Sequence, residues 1–140
     1  MLPPAVVVDA SVAVKWVLPE QDSNVAALLR RCALHAPPMF PTEVANVIWR
    51  NVAQKRIPAD RAVALAALVE SIGVIVHPPP SLPAVVAAAV DLNHPAYDCE
   101  YLLLAEALDA PLVSADERLI RVARGSQRFA ARVLPLSDLA

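Results

Sequence analysis

Four acidic residues stand where the chain passes from a short apolar or extended run into a helical stretch: Asp9, Glu43, Asp98 and Asp116. Asp9 follows the run Ala5-Val6-Val7-Val8, and Asp116 follows Leu112-Val113-Ser114 by two residues. Glu43 falls in the first turn of a helix after Met39-Phe40, and Asp98 in the first turn after Pro95. Carboxylates gathered from four separated segments suit a hard divalent cation. Mg²⁺ takes carboxylate oxygens and water in octahedral geometry at about 2.0–2.1 Å. Metal held there can activate water and clamp the attacking and leaving oxygens of a phosphodiester. Without a cation, four crowded acids repel one another and some pKa values rise. Taken singly, each acid has a plainer role. Asp9 and Asp116 are good helix N-caps. Glu43 and Asp98 complement a helix dipole. Their joint placement is what favours a site.

The elements that must position these acids follow from the apolar pattern and from fourteen prolines acting as punctuation. Ala5–Val8 reads as a buried strand. Ser11–Leu18 reads as helical until Pro19. Ser23 is placed to cap a helix running to His35, with Val25, Leu28, Leu29 and Cys32 inward. Pro37–Phe40 reads as a short extended piece, and Thr42–Lys55 as a helix. Pro58 suits the first turn of the next helix, which Gly73 closes as its C′ residue. Val74–Val76 is a strand, Leu82–Asp91 a helix, and Pro95 opens a helix to about Leu108. Leu112–Ser114 is a strand, Glu117–Ala123 a helix, and Arg132–Leu136 a last strand. Strands alternating with helices imply βαβ units and a mostly parallel sheet. In such a sheet, ligands bind outside the carboxyl ends of the strands, which is where all four acids fall.

The local sequences around the acids carry more than their spacing. They read Val7-Val8-Asp9-Ala10-Ser11-Val12, Glu43-Val44-Ala45-Asn46-Val47-Ile48-Trp49-Arg50, Tyr97-Asp98-Cys99-Glu100-Tyr101-Leu102-Leu103-Leu104-Ala105-Glu106 and Leu112-Val113-Ser114-Ala115-Asp116-Glu117-Arg118-Leu119. In this order the motifs resemble PIN-domain ribonucleases, specifically the VapC-type toxins of prokaryotic toxin–antitoxin pairs. The resemblance spans essentially the whole chain. It implies an α/β fold, a three-layer α/β/α sandwich around a short, mostly parallel sheet. It also implies Mg²⁺- or Mn²⁺-dependent endoribonuclease activity on RNA, a homodimer, and inhibition by a cognate antitoxin. Carried over by motif, Asp9, Glu43, Asp98 and Asp116 are the metal-binding and catalytic acids. Ser11 and Ser114 match positions of small hydroxyl residues near the site. Ser114 stands where Thr is commoner. Asn46, one helical turn after Glu43, can face the same cleft. Local backbone capping is an equal reading for Ser11, Ser114 and Asn46.

Length and composition agree with one compact unit over residues 1–140. The chain has 140 residues, 57% hydrophobic and 19% charged, with 27 Ala and 20 Val, which excludes a disordered chain. Two glycines leave no glycine-rich nucleotide loop. The net charge of −2 announces no polyanion partner by itself. Arg118, Arg121 and Arg124, with Arg128 and Arg132 beyond, recur at three- or four-residue intervals. They are candidates for RNA or antitoxin contacts or for a solvated face. Cys32 and Cys99 make neither a CxxC nor a zinc spacing, so free thiols are expected. His35, His77 and His94 suggest no ligand set or acid–base pair. Glu100 is two residues from Asp98, so on a helix it points about 200° away. No membrane segment or signal peptide is legible, so a cytoplasmic protein is expected. Two other chemistries fit poorly. A DxD phosphatase needs an acid where Ser11 stands, and a receiver-type domain needs an acidic pair and a late Lys. A PIN nuclease outside toxin–antitoxin biology and a non-catalytic RNA- or protein-binding module stay open.

Overall fold

The computed structural model describes residues 1–140. Five strands form one sheet in the order β3-β2-β1-β4-β5, every neighbouring pair parallel. The strands are β1 (Ala5–Val8), β2 (Ala33–Ala36), β3 (Ile75–Val76), β4 (Leu112–Ser114) and β5 (Val133–Pro135). Seven helices flank the sheet: α1 (Ala10–Ala13), α2 (Ser23–Leu28), α3 (Phe40–Ala53), α4 (Ala59–Ser71), α5 (Leu82–Leu92), α6 (Ala96–Leu108) and α7 (Glu117–Arg124). In β1, the consecutive residues Val6, Val7 and Val8 are all fully buried. Successive strand side chains point to opposite faces, so both faces are covered and the fold is an α/β/α sandwich. Burying each valine stabilises by about 1.5–3 kcal/mol. That exceeds the ~1 kcal/mol of a helix cap, so β1 stays in place whatever Asp9 does at its end.

The strand order reverses at β1, with β2 and β3 on one side and β4 and β5 on the other. The crevice of a doubly wound sheet lies outside the carboxyl ends of its strands at such a switch point. Asp9 follows β1 directly, and Asp116 follows β4 across one intervening residue.

The second strand departs from the sequence expectation. The segment expected to continue a helix to His35 ends its α-helix at Leu28 and tightens into a 3₁₀ turn over Leu29–Arg31. Cys32 then turns extended, and Ala33–Ala36 pairs with β1. Leu34 and Ala36 bury while Ala33 and His35 do not, a two-residue period too short to register against the helical one. Ser23 is not the N-cap. Asp22 occupies that place in a left-handed conformation, and the Ser23 hydroxyl ties the preceding loop to Glu20 and Leu18. The expected extended Phe40 instead starts α3, with Pro41 in its first turn. Gly73 does follow α4 with φ +86°, the left-handed residue a C′ position needs.

Two of the histidines meet through the sheet. Adjacent β2 and β3 bring His35 Nδ1 within 2.8 Å of His77 Nε2. Parallel pairing across 42 residues leaves no local signal for this contact.

Candidate active site

Asp9 is nearly fully buried. Its Oδ1 accepts from Ser11 Oγ at 2.5 Å and Val12 N at 3.3 Å, and its Oδ2 accepts from Ser114 Oγ at 2.5 Å. Ser11 Oγ accepts in turn from Ala115 N, and Ser114 Oγ from Asp116 N. The two hydroxyls therefore lock the end of β1 to the end of β4, beyond merely capping their own turns. Burial outweighs these hydrogen bonds and raises the Asp9 pKa to about 6, with Asp116 adding repulsion.

Asp116 caps α7, accepting from Arg118 N at 3.0 Å and Leu119 N at 3.2 Å. The cap uses only Oδ1, so it does not engage the second carboxylate oxygen. Glu43, in the first turn of α3, is pushed up to about 7 by burial, then by repulsion from Asp98, Asp9, Asp116 and Glu100 in falling order. All four acids are therefore electrostatic neighbours. Glu100 does not line the cleft, as its helical phase predicts, but its charge reaches Glu43.

A cleft of about 550 Å³ opens over this cluster. Glu43, Asp98 and Asp116 line it together with Asn46, Arg118 and Arg50. Of the arginines singled out from the sequence, Arg118 alone is on this cleft. Arg121 lines a separate depression beside Asp91 and Ser126, and Arg124 pairs with Asp138 at 3.3 Å. Arg128 grips Glu106 through two hydrogen bonds, and Arg132 pairs with Asp109. These arginines therefore do not share one surface. Gly125 ends α7, and the later arginines are held by acids of other segments. Sequence reasoning missed Thr42, Arg50 and Tyr97 on the cleft wall. Arg50 lies seven residues after Glu43, two turns along one face, which is the signal that was available.

His94 was also missed. Its Nε2 lies 2.6 Å from Asp98 Oδ2. The spacing of four residues was legible, but the ring comes from the turn before α6 and its direction was not.

Two buried side-chain atoms have no hydrogen-bond partner, Glu43 Oε1 and the Tyr101 hydroxyl. Both belong to this region. Tyr101 is fully buried in α6, and burial followed by Glu43, Asp9 and Asp98 drives its pKa upward. An unpaired buried hydroxyl costs about 1–3 kcal/mol. Tyr101→Phe is therefore expected to stabilise the metal-free protein by about 1 kcal/mol in urea unfolding. A loss of stability would mean that the hydroxyl is paired in solution.

The cluster fits a hard divalent cation by donor type and by the unpartnered Glu43 oxygen. No three His, Cys, Asp or Glu side chains are grouped closely enough to make a ready metal cage.

The PIN domain family model matches residues 6–125. The chain belongs to the PIN domain family. PIN domains are generally nucleases. The structure of PAE2754 from Pyrobaculum aerophilum is similar over 96% of this chain and 85% of that one, with a TM-score of 0.72 and 22% identity. The PilT N-terminus domain protein SSO1118 from Sulfolobus solfataricus P2 covers 96% of this PIN domain chain and is covered over 89%, with a TM-score of 0.48 and 17% identity. No curated protein matches. No helix of this PIN domain is long and apolar enough to cross a membrane.

Proposed function

We propose that the protein is a metal-dependent endoribonuclease, the toxin of a toxin–antitoxin pair, held inactive by its antitoxin. The observation that carries the nuclease reading is the convergence of Asp9, Glu43, Asp98 and Asp116 at the switch point of a PIN fold, with Arg50 and Arg118 on the same cleft. The toxin reading rests on the four motifs and their order in the chain.

In this reading Asp98 and Asp9 are the firmest ligands of Mg²⁺ or Mn²⁺, directly or through water, and Glu43 and Asp116 complete the acidic set. The bound cation supplies Lewis acidity, lowering the pKa of a coordinated water and stabilising charge that develops on the phosphate. The chain contributes the rest. Ser11 and Ser114 hold the Asp9 carboxylate in one orientation between β1 and β4. Asp116 spends one oxygen on α7 and keeps the other for the site. Arg118 and Arg50 meet the RNA backbone, which lets an acidic cleft hold a polyanion. Asn46, exposed on the same wall, supplies a neutral donor and acceptor. Arg121 and Arg124 lie off this cleft, so their proposed partner is the antitoxin. The second copy of a homodimer and the antitoxin are the proposed covers for exposed apolar side chains such as Trp49, Val63 and Val90. A cytoplasmic site of action follows from an RNA substrate.

Purified protein, freed of antitoxin, is expected to cleave RNA with Mg²⁺ or Mn²⁺ and to stop on addition of EDTA. Gel analysis of a defined RNA after metal removal and re-addition checks this. Cleavage that persists in EDTA after exhaustive chelation would rule out the metal-dependent reading.

A further inference from the structure

We propose that His94 is a positioning residue for Asp98, holding that carboxylate in the one orientation the site uses. The inference rests on the nuclease reading above and adds to it a residue outside the four acids.

The local chain is built to deliver this ring. Asn93 takes a left-handed conformation, φ 47°, and closes α5. The His94 N–H then donates to Ala89 O at 3.1 Å, which fixes the turn. Pro95 ends the turn in extended conformation and starts α6. Cys99 donates its thiol to Pro95 O at 3.6 Å from the next helical turn, so the buried thiol is a clasp on the same corner. The ring of His94 thereby lies one turn before Asp98 and points along α6 to meet it at 2.6 Å.

Burial is asymmetric across the contact. The His94 side chain is 1% exposed and the Asp98 side chain 20%. The imidazole is therefore below and the carboxylate faces the cleft that it lines. A carboxylate oxygen accepts, so Nε2 is the nitrogen that carries the proton. This contact commits Oδ2 and leaves Oδ1 for a ligand. A partly exposed first-turn Asp would otherwise sample several rotamers. Groups that orient a metal-binding side chain typically change affinity or activity by about 10–100-fold when removed.

The test uses full-length protein with His94→Leu and His94→Gln, the second keeping an N–H donor. Mn²⁺ affinity is read by electron paramagnetic resonance of the free ion, alongside kcat and KM for RNA cleavage. His94→Leu is expected to lose about 10–100-fold in Mn²⁺ affinity and kcat, with KM for RNA nearly unchanged. His94→Gln is expected to recover most of the loss. A folded His94→Leu that binds Mn²⁺ and cleaves like wild type overturns the inference alone. So does a His94→Gln no better than His94→Leu, which would mark a packing role. If His94→Leu does not fold, the wild-type ring decides. Long-range proton–nitrogen spectra are expected to show the Nε2–H tautomer, and an Nδ1–H tautomer overturns the inference. Wild-type protein that neither binds Mn²⁺ nor cleaves RNA overturns the proposed function and this inference with it.

Discussion

Asp98→Asn is expected to reduce metal-dependent RNA cleavage by about 10²–10³-fold or more while leaving the fold intact. A metal acting as Lewis acid supplies several kcal/mol of transition-state stabilisation, and each 1.36 kcal/mol is tenfold in rate. The substitution keeps size and shape. Its amide oxygen can still accept from His94 Nε2, so the buried imidazole is not orphaned. What disappears is one negative charge at the mouth of the cleft. That charge is the largest electrostatic contributor to the raised pKa of Glu43. Its removal is therefore expected to lower the Glu43 pKa from about 7, read by carbon-13 titration of the labelled side chain. The two readouts separate the catalytic assignment of Asp98 from its electrostatic one. A variant that cleaves as well as wild type would show that the assigned acids are not the site. A variant that loses activity while Glu43 titrates unchanged would show that Asp98 is not its electrostatic neighbour.

The acids were legible because each belongs to a local pattern. Asp9 ends a valine run, Glu43 and Asp98 fall in first turns, and Asp116 is an N-cap followed by an amphipathic helix. A parallel sheet then brings strand ends together by topology alone, so correct strand assignments for β1 and β4 were enough to gather the acids at one edge. What failed depended on contacts between distant segments. β2 has only four residues, with alternating burial, and it is a strand because β1 offers it a partner. The hydroxyl bonds of Ser114 to Asp9 span 105 residues and have no local trace. The arginines show the same limit. Their spacing was correct, but Glu106, Asp109 and Asp138 had already engaged three of them. A helical period says which side chains share a face. It does not say what the rest of the fold puts opposite that face.

Asp9→Asn is expected to remove activity and yet stabilise the metal-free protein at pH 7.5. Asp9 is raised from 3.8 to about 6 by burial. The folded state therefore disfavours the carboxylate by roughly two pK units, or about 3 kcal/mol at 1.36 kcal/mol per unit. Asparagine carries no charge to desolvate. It keeps an oxygen for Val12 N but leaves one serine hydroxyl without its acceptor, which returns about 1 kcal/mol. The net gain is about 2 kcal/mol. Linkage gives the pH dependence its sign. A carboxyl with a raised folded pKa takes up its proton in the folded state first, so acidification favours folding until the unfolded chain is also protonated. Glu43, raised from 4.5 to about 7, acts in the same direction. His35, lowered by burial and by His77, acts against them as pH falls through 6.5. The buried Asp9 and the half-buried Glu43 outweigh one partly exposed ring. Metal-free wild type is therefore expected to gain stability from pH 7.5 to about 5, and Asp9→Asn to gain less. Added Mg²⁺ at pH 7.5 is expected to raise the melting temperature of wild type and not of the variant, since a ligand stabilises only the state that binds it. Urea midpoints across this range, with and without Mg²⁺, decide the matter. A wild type that weakens steadily on acidification, with a variant that follows it, would show that Asp9 is not held charged against its burial.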